Sequence, residues 1–178
     1  MSALLTLRQA VKAELATRIT DANNVLEHAG ALTMDELERI ATRHPALIVA
    51  CLGCPMVQRQ GTVVLGDAVM AVFVVTSDTR DLLRDAKAMV IAEQVASVIG
   101  LNVFGGTGAR APTDIVLSNL YTKALDMKGL SLWAVRWRQY VEFERVGGAE
   151  AADLERVVAV YDVSDTQSAS DQVELPTS

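Results

Sequence analysis

Cys51 and Cys54 flank Leu52 and Gly53 and precede Pro55, the Cys-x-x-Cys spacing of a reversible dithiol. That chemistry needs one acidic thiol, usually beneath the amino end of a helix. Here the first cysteine ends an apolar run, residues 46–52, and Pro55 leads into no helical pattern, so both thiols read as structural. A cytoplasmic thiol oxidoreductase using Cys51 and Cys54 is the alternative function. Gly105, Gly106 and Gly108 resemble a phosphate-cradling loop, but no Gly-Lys-Ser/Thr ending follows, and the loop comes after a helix rather than between strand and helix. A binding module holding an anion on this loop is a weaker, third reading. His28 and His44 are the only histidines: the first sits in a polar linker, the second at a helix end before Pro45. With two cysteines beside them there is little material for a four-ligand metal site, and no carboxylate spacing marks an acid/base pair. The expectation is a protein that is not an enzyme and carries no cofactor or metal.

Charge narrows the partners. Residues 1–148 hold 15 basic and 15 acidic side chains, whereas 149–178 hold only Arg156 against seven acids, so the net charge of −6 lies in the last segment. A neutral body with an acidic end offers no broad basic surface for nucleic-acid backbones. No apolar run reaches the roughly 20 residues of a membrane span, and the start at Met1 carries no leader pattern, which implies a soluble cytoplasmic product.

The elements that position these residues follow from periodicity. Leu4, Leu7, Val11 and Leu15 form one helical stripe. Thr33 with Glu36 makes a capping box for a short helix with Met34, Leu37 and Ile40 on one side, closed by Pro45. Residues 46–52 suit a strand covered on both faces, ended by Gly53 and Pro55. Residues 57–65 read as a weaker strand or extended loop, Gly66-Asp67 as a turn or bulge, and 68–76 as a strand. Ser77, Asp78 and Thr79 supply caps for a long helix over 80–99, stopped by Gly100, with Leu82, Leu83, Ala86, Met89, Val90 and Val95 buried. Residues 104–112 form an exposed loop, 114–123 a possible strand, and 129–143 a strong strand. On that strand Trp133, Val135, Trp137, Val141 and Phe143 share one face and Arg136, Arg138 and Glu142 the other. Arg136 and Arg138 are then either solvated or part of a subunit contact. Residues 154–163 add a helix or strand, and the end from Ser164 is disordered unless bound.

The fold class is therefore α/β of the α+β type: a mixed, largely antiparallel sheet of about four strands, packed by the N-terminal helix and one long central helix. One domain covers 1–148, and 149–178 is an acidic arm.

The order of elements, the stretch from Thr33 to Val49, and the segment Gly129-Leu130-Ser131-Leu132-Trp133-Ala134-Val135-Arg136-Trp137-Arg138-Gln139 resemble the tail terminator proteins of Mu-like phages and prophages over roughly residues 1–145. The resemblance implies a structural virion protein, assembled in the bacterial cytoplasm. It implies a ring, six copies in the family, on the head-proximal end of the tail tube, which stops tube growth and receives the head-completion or stopper protein. Its partners would be other copies of itself, the tail tube protein and the stopper, with genomic DNA passing through the lumen and no membrane. Exposure and charge make Arg59 and Arg110, with Arg136 and Arg138, the candidate contact or lumen residues. The segment after Gly148 and the glycine loop have no counterpart in the resemblance.

Overall fold

The stripe of Leu7, Val11 and Leu15 is buried on helix α1, Ala3–Arg18, whose first turn is capped by Ser2. The computed structural model describes residues 2–22, 24–30, 32–40, 45–61, 63–78, 83–104, 110–143, 156–163 and 167–174; Gln60 and the last two segments are described in their backbone alone. The chain divides into two units, Met1–Glu144 and Arg145–Ser178.

In the first unit five strands form one mixed sheet in the order β1-β2-β3-β5-β4, where β1 is Asn24–His28, β2 Ala46–Gln60, β3 Val63–Ser77, β4 Thr113–Asn119 and β5 Leu130–Phe143. The α+β class stands, with five strands where about four were expected. β1 pairs parallel to the start of β2, and every other pair is antiparallel. The added strand is β1, in the stretch read as a polar linker. Its polar residues are matched tertiarily: Glu27 takes Arg8 at 3.1 Å and Lys12 at 3.2 Å from α1, and His28 meets Glu36 at 3.2 Å.

The sheet has two dissimilar faces. Alternation along β3 and β5 sends Met70, Val72, Val74, Val135, Trp137 and Val141 to one side, where α1 and helix α3, Arg84–Gly100, cover them in the main core. On the other side a smaller core of Ala46, Ile48, Val75, Leu130 and Leu132 lies under helix α2, Met34–Ile40, and helix α4, Lys123–Met127. The Thr33 and Glu36 capping box forms as the sequence predicts: Thr33 N–H donates to Glu36 Oε2 at 3.0 Å, and Glu36 N–H donates to Thr33 Oγ1 at 3.3 Å. α4 was not anticipated, although Thr122 is a regular N-cap for it.

Three local readings are corrected. β2 does not end at Gly53 and Pro55 but runs to Gln60, with register shifts from Cys51 to Gly53 and from Gly53 to Met56. Proline is compatible there because β1 stops opposite Ala50, leaving the rest of β2 at the sheet edge, where a missing N–H breaks no ladder. Gly66 and Asp67 form neither a turn nor a bulge; they lie buried inside β3, in register with Val57 and Met56, and the register shifts fall on β2. Glycine is needed at 66 for closeness: a Cβ there would stand 2.3 Å from the Phe143 ring and 2.8 Å from Cys54 Sγ.

The third correction is the buried side of α3. It is formed by Ala88, Ile91, Ala92, Val95 and Ile99, while Met89, Val90 and Leu83 are exposed. Val95 is buried as expected, but Met89 and Val90 lie two positions before Ile91 and Ala92, about 200° around the helix, and so point to solvent. Of the predicted caps, Asp78 does the work, its Oδ1 accepting from Arg84 N–H at 3.0 Å. Thr79, Leu82, His44 and the glycines at 105–108 lie outside the described residues.

The second unit is a strand pair, β6 Arg156–Val163 with β7 Gln167–Glu174, antiparallel from Arg156 opposite Glu174 to Val163 opposite Gln167. The end expected to be disordered is thus partly a β-hairpin.

Candidate interaction surface

α2 and α4 cover only part of the second sheet face. Beyond them, toward the Phe143 end of β5, that face carries Ala71, Val69 and Asp67 from β3 and Arg136, Arg138 and Tyr140 from β5. Asp67 is buried and paired with Arg138, which reaches it diagonally across the ladder. Hydrogen bonding to Asp67, reinforced by its charge, raises the Arg138 pKa above its ordinary value. Among the described residues the second oxygen of Asp67, Oδ1, has no hydrogen-bond partner.

Arg110 joins the same region. Its guanidinium lies over the Tyr140 ring, 5.3 Å from the centroid, and its backbone carbonyl accepts from Gln139 Nε2 at 3.4 Å. Gln139 points to the helix-covered face, where its Oε1 accepts from Trp137 Nε1 at 3.2 Å. Arg110 is thus held from both sides of β5. Sequence patterning did not single out Gln139, a polar residue at a core position; the neighbouring Trp137, an indole N–H in need of an acceptor, was the available signal.

The structure brings three of the four candidate arginines together. Arg136 is exposed and forms no ion pair among the described residues; it lines an open depression of about 280 Å³ with Pro55, Val69, Asp114, Val116 and Arg138. Arg59 stands apart, exposed near the tip of the β2–β3 hairpin, with Nε donating to Gly61 O at 2.9 Å. Between them the outer part of β2 exposes Leu52, Met56 and Val57. Further apolar side chains are exposed on the outer side of α3 and just after it, at Met89, Val90, Leu101 and Val103, and near the opposite edge, at Val116, Leu117, Tyr121 and Met127.

The cysteines are not joined. Both are free; Cys51 Sγ points to Gly53 O at 3.9 Å and Cys54 Sγ to Met56 O at 3.5 Å. Burial, then the nearby Asp67 carboxylate, pushes the Cys54 thiol above its ordinary pKa, opposite to what a dithiol nucleophile requires. Among the described residues no three His, Cys, Asp or Glu side chains group as metal ligands, and no helix is long and apolar enough to cross a membrane. Comparison of the chain with protein-family models and with curated proteins gives no match to either.

Proposed function

We propose that this chain is the tail terminator of a Mu-like phage or prophage: a ring subunit, one of six in the family it resembles, that caps the head-proximal end of the tail tube. It acts by stoichiometric contact. Other copies of the chain, the tube protein and the head-completion protein are its partners, and DNA passes through the lumen. The observation that carries the reading is the distribution of exposed large apolar side chains over three separate places: outer β2, the outward side of α3, and the β4–α4 edge. A closed head-to-tail ring requires two unlike side surfaces, and joining to tube and head requires others. Several exposed apolar groups on one chain favour contact with partners over an isolated monomer. The arginines at 110, 136 and 138 form a polar patch suited to the rim of such a contact, and Arg59 is carried outward on a hairpin.

The test is electron microscopy of a lysate from a phage or prophage lacking this gene alone. Overlong or unjoined tails beside filled heads are expected; tails of normal length joined to heads overturn the reading. In the complemented strain, Arg59→Glu or Arg110→Glu should lower the yield of joined particles, and normal yields from both would remove those residues from the contact.

A further inference from the structure

The sheet has two open edges, and they are complementary. On one side β1 pairs only Ala46–Ala50 of β2, so from Met56 to Gln60 the far side of β2 faces no strand among the described residues. On the other side β4 pairs with β5 and has no outer neighbour among the described residues. Unpaired strand edges are templates for pairing with another chain, and proteins that stay monomeric usually blunt them with charge, proline or bulges. Outer β2 is little protected: past Pro55 it exposes Met56 and Val57, with one charge, Arg59, near the tip. β4 is irregular between Thr113 and Val116 but regular from Val116 to Asn119, where Val116 and Leu117 are exposed.

We propose that β4 of one copy pairs antiparallel with outer β2 of the next copy, Leu117 opposite Val57, so that one sheet continues from subunit to subunit. The inference rests on the ring reading and names its contact.

Direction and face agree with this pairing. β2 and β4 run in opposite senses within one sheet, so a second copy set beside the first in the same orientation meets it antiparallel. Val57 lies opposite Gly66, and Leu117 opposite Val135, both on the face that carries α1 and α3. The pairing therefore keeps that face continuous and covers two exposed apolar side chains. The short β1 ends before this stretch and does not obstruct it.

The geometry favours closure as well. In the β5 frame Val57 stands level with Val141 and Leu117 level with Val135, so each contact steps six residues, about 20 Å, along the strands. Four strand spacings, from β2 through β3, β5 and β4 to the next β2, carry it about 19 Å sideways. The resulting inclination of about 45° lies at the upper end of the strand tilts at which sheets close on themselves.

The test uses the full chain with Cys51→Ser and Cys54→Ser. Adding Val57→Cys and Leu117→Cys together should give, on mild oxidation, a reducible ladder of cross-linked copies, whereas Val57→Cys with Val116→Cys, on opposite faces, should give little. In parallel, Val57→Lys and Leu117→Lys should each be monomeric by native mass spectrometry. Mixed, they should form a dimer and nothing larger, because each supplies the one edge the other lacks. A wild-type chain that remains monomeric at high concentration overturns the edge pairing, as do oligomers that neither lysine variant disturbs. If both folded lysine variants still cap tails at normal length, the pairing fails while the terminator reading survives; normal tails after deletion of the gene sink the latter alone.

Discussion

Arg138 of β5 pairs with Asp67 of β3 across the diagonal of the ladder, one partner half-exposed and the other buried. The asymmetry decides what each side chain does for stability. Removing the arginine strands a buried carboxylate, whereas neutralising the carboxylate frees an arginine that can turn to water.

Arg138→Ala is therefore expected to lower the melting temperature clearly more than Asp67→Asn, measured by circular dichroism at neutral pH. Equal losses would mean that Asp67 finds another partner or is reached by water.

Gln139 is buried between the Trp137 indole N–H and the Arg110 carbonyl. Gln139→Leu should cost about 1–3 kcal/mol by leaving both groups unpaired. It should also loosen Arg110 from Tyr140, seen as faster amide exchange around residue 110 than in wild type.

Gly66→Ala pushes a methyl group into the Phe143 ring. A loss of about 1–3 kcal/mol in urea unfolding is expected from overpacking. Phe143→Leu should cost less in the Gly66→Ala background than alone, and simple additivity would contradict the predicted clash.

Glu36 carries a pH dependence. Its carboxylate accepts from the Thr33 amide, then the Thr33 hydroxyl, then His28, and its pKa falls from 4.5 to about 2. A carboxylate depressed on folding stabilises the native state above its ordinary pKa, and this contribution is lost as pH falls through the folded value. Melting temperature should thus decline between about pH 4.5 and 2, and Glu36→Gln should flatten that part of the profile. An unchanged slope would remove the capping box as its source.

The thiols should behave as structural groups. Cys54, its pKa raised, is expected to alkylate slowly at neutral pH in the folded chain and quickly after unfolding. Cys51→Ser with Cys54→Ser should keep the melting temperature within a few degrees. Rapid labelling of native Cys54 would reopen the redox alternative.

How much of this was legible depended on range. The capping box at Thr33 and the alternation along β5 are local patterns, and both formed as read. β1 was not legible, because Glu27 and His28 are matched by Arg8, Lys12 and Glu36 from the two flanking helices, contacts that strand periodicity does not show. Gly66-Asp67 misled because that dipeptide is common in turns. Only the pairing of β3 with both neighbours explains a glycine under Phe143 and an acid beneath Arg138. At the candidate surface, period two placed Arg136 and Arg138 on one face. The arrival of Arg110 over Tyr140 depended on the fold of the intervening chain.

β3 is paired with β5 along all but its first residue, Ser77 against Leu130 through Val64 against Phe143. During synthesis its hairpin partner β2 has already left the ribosome, but β5 has not. At about 5–20 residues per second, several seconds separate the emergence of the two strands. For that interval this apolar strand presents a bare flank, so the yield of native chain on expression should depend on chaperone capacity and on translation speed between residues 77 and 143.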